Sequence, residues 1–100
     1  MLAFVIADEA VQDSAEAYRY YELIDPRLAE RFYGNLLRRF ETIERNPEMF
    51  GREWRSVRAV TVHKYPYVIY YRITRLRVVV VFAIRHGREN PAVWRRRYRG

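Results

Sequence analysis

Tyr67-Val-Ile-Tyr-Tyr-Arg-Ile-Thr-Arg-Leu-Arg-Val-Val-Val-Val-Phe-Ala-Ile-Arg-His86 is the stretch that decides the fold. It holds two runs rich in β-branched and aromatic residues, Tyr67–Thr74 and Leu76–Arg85, which read as strands. The join at Thr74-Arg75 is far too short for a crossover connection, so the runs predict an antiparallel hairpin. In the second run Val78, Val80, Phe82 and Ile84 are expected on one side and Val79, Val81 and Ala83 on the other. Both sets are apolar, which predicts a strand buried on both faces in the interior of its sheet.

Working outward, Tyr65-Pro66 predicts a turn, and Ser56–Lys64 before it reads as a third strand. Further upstream the period changes from two to three and four. Ala29, Phe32, Tyr33, Leu36, Phe40 and Ile43 form the expected buried stripe of a helix, with Arg31, Arg38, Arg39 and Glu44 off it. Asn46-Pro47 stops that helix, and Asp25-Pro26 starts it with an N-cap and a first-position proline. A preceding helix over Glu9–Ile24 is expected to bury Val11, Ala15, Tyr18 and Tyr21, with Asp8 as its cap. Leu2–Ala7 reads as a short strand. On the C-terminal side Asn90-Pro91 predicts one or two helical turns within the tail that ends at Arg99. The order is strand, helix, helix, strand, strand, strand. It predicts one α+β domain over residues 1–100, with a helical hairpin on one face of a mostly antiparallel sheet and a short basic tail.

The 100 residues carry nineteen basic and twelve acidic side chains, a net charge of +7, which calls for an acidic partner. All the basic residues but Lys64 are arginines, suited to forked hydrogen bonds with carboxylate or phosphate. Twelve of the arginines fall in residues 51–100, whereas most of the acids fall in 1–50, so the positive field is expected in the second half. With no cysteine and two histidines, no disulfide framework, no thiolate nucleophile, no metal and no cofactor is expected. The longest apolar run, Val78–Ile84, is well short of a membrane span, and the N-terminus lacks the basic start of a signal peptide. These features predict a cytoplasmic protein with no membrane association.

Several of these pieces, in this order and spacing, resemble the RelE/ParE superfamily, small bacterial toxins of type II toxin–antitoxin (plasmid stabilization) modules. The resemblance covers nearly the whole chain. It rests on the two-helix hairpin with its Asn46-Pro47 stop, on Gly51, on Tyr65-Pro-Tyr-Val-Ile-Tyr-Tyr-Arg-Ile73, and on Ala83-Ile-Arg-His-Gly-Arg-Glu-Asn-Pro-Ala-Val-Trp-Arg-Arg-Arg97. Similar toxins divide between ribosome-dependent mRNA endonucleases and inhibitors of DNA gyrase. The endonuclease relatives use a cluster of Lys and Arg, often with a C-terminal Tyr. Here the stretch that carries paired lysines in those relatives reads Ala59-Val-Thr61, Val68 replaces a further cation, and Trp94 stands in place of the Tyr. An indole has no proton to exchange as a general acid or base. The ending His86-x-Arg88-x-x-Pro91-x-x-Trp94 is similar to the ParE-like branch.

The resemblance therefore implies a binding protein rather than an enzyme, with gyrase as target and Arg85, His86, Arg88, Trp94, Arg95, Arg96, Arg97 and Arg99 as the contact surface. Beside this reading, Trp94 equally suits packing of the tail onto the sheet, and His86 a structural place at a strand end. The family also implies a cognate antitoxin whose acidic C-terminal segment wraps the toxin in a hetero-oligomer. Tyr18, Tyr21, Leu28, Phe32, Tyr33, Arg55 and Arg58 are the expected contacts for it. Two alternatives stay open. One is an mRNA endonuclease acting at the ribosome with an altered site built from Lys64, Arg72, His86 and Arg88. The other is a non-enzymatic nucleic-acid-binding protein with a basic, tyrosine-bearing sheet face.

Overall fold

Asp25 alone joins the first two helices. Its backbone N–H donates to Tyr21 O (2.9 Å) and closes one helix, while its carboxylate accepts from Arg27 N (2.9 Å) and opens the next, with Pro26 in the first position. In the computed structural model, which describes residues 3–98, these helices are α1 (Asp8–Ile24) and α2 (Pro26–Arg45). They follow strand β1 (Ala3–Ile6) and precede β2 (Arg52–Trp54), β3 (Val57–Thr61), β4 (Tyr67–Ile73), β5 (Val78–His86) and the single turn α3 (Ala92–Arg95). The sheet order is β1-β5-β4-β3-β2, with β1 parallel to β5 and every other pair antiparallel. The α+β architecture is thus the one expected, with β2 as an additional edge strand that its short, charged sequence did not announce. Leu2 belongs to the expected first strand but lies outside the described residues.

β5 is interior, flanked by β1 and β4, and both its faces are covered. On one face α1 and α2 bury Ala10, Ala17, Phe32, Leu36 and Ile43 against Ile69, Tyr71, Val79, Val81 and Ile84. On the other, Trp94 of α3 closes over Val57, Tyr70, Phe82 and Ala83. Strict alternation placed Ile84 beside Phe82, and the structure corrects this. Tyr70 pairs with Ala83 and Tyr71 with Val81, so Phe82 is the extra residue of a β-bulge. Phe82 and Ala83 then share the tail face, and Ile84 is returned to the helical face.

The helical hairpin is also rephased. α1 buries Ala10, Asp13 and Ala17, with Tyr21 half-buried, whereas Val11 is half-exposed and Ala15 exposed. Alanines let the helix lie close to the sheet, and this requirement outweighs the larger side chains at Val11 and Tyr18. Asp8 occupies the first turn of α1, where its charge suits the helix dipole, and Ala7 is the N-cap without a side-chain bond. On α2 the expected stripe holds except at Tyr33, which is exposed. Asn90 Oδ1 accepts from Ala92 N (3.0 Å), but the cap position of α3 is Pro91, one residue later than expected.

Candidate functional site

The end of β5 and the chain that follows it carry most of the arginines expected to contact a target. β1 pairs with β5 only as far as Ile6 opposite Val81, which leaves the next stretch of β5 edge without a strand partner. Asp13, 4% exposed, fills that edge from α1. Its carboxylate accepts from Ile84 N (2.9 Å), from Arg85 Nη1 (2.9 Å) and from Arg97 Nη1 and Nη2 (2.6 and 3.1 Å). Arg97 also donates to Phe82 O (3.3 Å), so the two side chains replace a missing strand with one acceptor and one donor. Arg85 grips Glu89 through two bonds (2.7 and 2.6 Å) and holds its carboxyl below the usual carboxylate range. Arg85 and Arg97 are thereby committed to internal ion pairs.

Trp94 is buried as well, and it is packing that occupies it. Its ring stacks on Tyr70 (4.1 Å between centroids, 18° between planes) and meets Trp54 edge-on (5.7 Å). Tyr98 packs on Trp54 (5.3 Å) and shares a hydrogen bond with Ser56 (2.8 Å). Arg55 and Arg95 lie over the Trp54 ring at 4.5 and 5.0 Å. Arg55, Arg88, Arg95 and Arg96 are exposed cations of this end, Arg55 and Arg95 resting on the aromatic base and Arg96 donating through Nε to Ala92 O (3.2 Å); Arg99 lies outside the described residues. Trp54 was missed in the sequence because nothing in its local pattern marks it as the platform for two guanidinium groups.

Of the residues of the altered nuclease site, Lys64, His86 and Arg88 lie at one end of the sheet and Arg72 lies apart from them. His86 sits opposite Tyr67, packs against its ring (5.7 Å), and accepts from Arg88 N at Nδ1 (3.1 Å). Lys64 is at the same end of the sheet, in the turn between β3 and β4. Arg72 lies opposite Val80, five residues along β4 from Tyr67, or about 17 Å at strand rise.

Of the expected antitoxin contacts, Tyr18 and Tyr33 line a shallow groove of about 520 Å³ between α1 and α2, together with Val11, Ser14, Ala15 and Glu30. The two rings meet edge-on (6.3 Å), and the Tyr18 hydroxyl donates to Glu30 Oε1 (2.9 Å), which raises the phenol's pKa. Phe32 is completely buried, so its side chain is a core element and not a surface contact. Tyr21 packs against Phe32 and Tyr65 (5.4 and 4.9 Å), and burial pushes its phenol up to about 12. Leu28 is half-buried on the far side of α2. Arg58 donates to Phe50 O (2.6 Å) and Glu48 O (3.2 Å), tying down the chain between α2 and β2, while Arg55 stays exposed.

Residues 4–91 match the model of the ParE toxin of the type II toxin–antitoxin system, parDE. The chain belongs to the ParE toxin family. A search of curated proteins finds no match. Among solved structures, the chromosomal ParDE toxin–antitoxin system from P. aeruginosa contains a chain of the same fold, with TM-score 0.74 and 20% identity over 86% of this chain and 96% of that one. The ParE match stops at Pro91, so Trp94 and the arginines of the tail are read from this chain's own packing. Among the described residues no helix is long and apolar enough to cross a membrane.

Proposed function

We propose that this ParE-family chain is the toxin of a type II module, that it inhibits DNA gyrase through its C-terminal end, and that a cognate antitoxin neutralises it. The observation that carries the target reading is the display of Arg55 and Arg95 over the Trp54 ring, which is itself packed on Trp94 and through it on Tyr70, with Arg88 and Arg96 exposed on the same C-terminal stretch. Cations held this way form hydrogen bonds to an acidic surface at small entropic cost. Binding and stalling need no proton transfer, in keeping with the separation of Arg72 from His86 and Arg88. The antitoxin reading is supported by the groove of Val11, Ala15, Tyr18 and Tyr33, whose exposed aromatic surface suits an amphipathic helix.

Supercoiling by purified gyrase, titrated with the toxin, tests the reading. Wild-type protein is expected to inhibit, added antitoxin to relieve the inhibition, and Arg88→Ala or Arg95→Ala with Arg96→Ala to weaken it about tenfold or more. A folded, antitoxin-binding protein that leaves supercoiling untouched would falsify the gyrase assignment. Ribosome-dependent mRNA cleavage would then be assayed with the same variants.

A further inference from the structure

A second basic surface lies away from the tail, along the side of α2 that faces the β3–β4 turn. Arg31 and Lys64 border one hollow there, and Arg38, Arg39 and His63 border the next, with Asn35 shared between them. Two side chains of α2 hold the opposite wall in place: Asn35 Nδ2 donates to His63 O (3.0 Å) and Arg39 Nε to Thr61 O (2.9 Å). Arg38 Nη2 donates to Asn35 Oδ1 (2.8 Å), and Lys64 is set in the turn with φ 68°. Arg31, Arg38 and Lys64 are exposed and, among the described residues, take no part in an ion pair. The acids of α2 fall elsewhere: at about 100° per residue, Glu30, Glu41 and Glu44 lie some 80° or more from the line of Arg31. Half-chain charge totals average these two faces together, and the basic one disappears.

We propose that this groove binds the phosphodiester backbone of nucleic acid. Arg31 and Arg38 are about 10 Å apart along the helix, the axial span of about three phosphates on one duplex strand, and Lys64 faces them across the groove. The lining argues against an acidic protein segment. Protein interfaces depend on buried aromatic and aliphatic anchors, whereas this groove offers chiefly cations, amide and hydroxyl groups and an imidazole, with Leu28 and Tyr65 at one end. Forked donors on a fixed wall are what phosphate oxygens require. The inference stands independently of the gyrase reading, because it concerns a different surface.

The test is fluorescence anisotropy of the full chain with a labelled mixed-sequence DNA duplex of about 20 base pairs and a single-stranded RNA of similar length, between about 50 and 200 mM salt. Arg31→Ala/Arg38→Ala/Lys64→Ala is compared with Arg95→Ala/Arg96→Ala and with Arg31→Lys/Arg38→Lys, and circular dichroism checks each fold. The groove triple variant is expected to bind DNA or RNA about tenfold or more weakly, with a salt slope shallower by about two to three, near 0.9 for each duplex phosphate that is no longer neutralised. The lysine variant is expected to retain the slope. Whichever nucleic acid shows the larger loss identifies the source of the backbone. Three results would overturn the proposal: no binding of either probe at the lowest salt, equal affinity and slope for wild type and triple variant, or poly-glutamate displacing both probes and losing its own affinity in the triple variant.

Discussion

Asp13 is the one strongly buried acid among the described residues, and two arginines and a backbone N–H converge on it. Asp13→Asn removes the charge that both guanidinium groups need, and breaking a buried pair from one side costs about 3 kcal/mol or more. Urea unfolding is expected to show that loss, together with a change in Trp94 emission as the tail loosens. Glu89 sets a pH dependence. Because Arg85 lowers its folded pKa, its contribution is present above the ordinary carboxylate range and fades as pH falls through the lowered value. Stability measured on acidification should decline less steeply in Glu89→Gln. Tyr71 acts at the other extreme: burial pushes its phenol up to about 12, so the folded state keeps the proton longer than the unfolded chain does. Stability is then full below the ordinary phenol value of about 10 and falls as pH rises towards 12. Tyr71→Phe should flatten that alkaline decline while losing about 1 kcal/mol at neutral pH, since its hydroxyl donates to Pro47 O (2.6 Å).

α1 shows how a correctly placed element can still be turned the wrong way. Its existence follows from spacing, but Val11, Ala15, Tyr18 and Tyr21 compete with Ala10, Asp13, Ala17 and Tyr21 as the inward line. Hydrophobicity favours the first set and close approach to the sheet the second. The deciding partners, Arg85 and Arg97, are far away in sequence, so nothing near Asp13 reveals that a carboxylate belongs inside. Two substitutions separate the phases. Ala17→Leu should destabilise by about 1–3 kcal/mol through overpacking, whereas Val11→Ala should change thermal stability by less than about 0.5 kcal/mol. The bulge at Phe82 was hidden for a related reason, since an uninterrupted apolar run carries no mark of where its alternation slips. By contrast, Asp25-Pro26 and Asn46-Pro47 were legible because capping and proline sterics act within a few residues. The candidate site was legible in its cations but not in their fates: Arg85, Arg88, Arg96 and Arg97 look alike in sequence, and only the fold assigns two of them to Asp13 and Glu89.

At the scale of the molecule, the apolar groove of the helical hairpin and the basic C-terminal end are separate surfaces. Substitutions should therefore separate the two binding roles proposed for them. Tyr33→Ala is expected to weaken antitoxin binding about tenfold in calorimetry and leave inhibition of gyrase unchanged, while Arg88→Ala does the reverse. If both variants lose both activities, the surfaces overlap and the division is wrong. The topology also bears on when the molecule can act. β1 is made early, but its only sheet partner is β5, and the second face of that sheet stays bare until Trp94 arrives. A nascent chain thus holds both helices long before it holds a sheet for them to cover. At about 5–20 residues per second this interval lasts several seconds. On the proposed assignment of surfaces, an antitoxin segment able to meet the hairpin in that window would encounter its target before the arginine-bearing end exists, and neutralisation would then precede toxicity during synthesis itself.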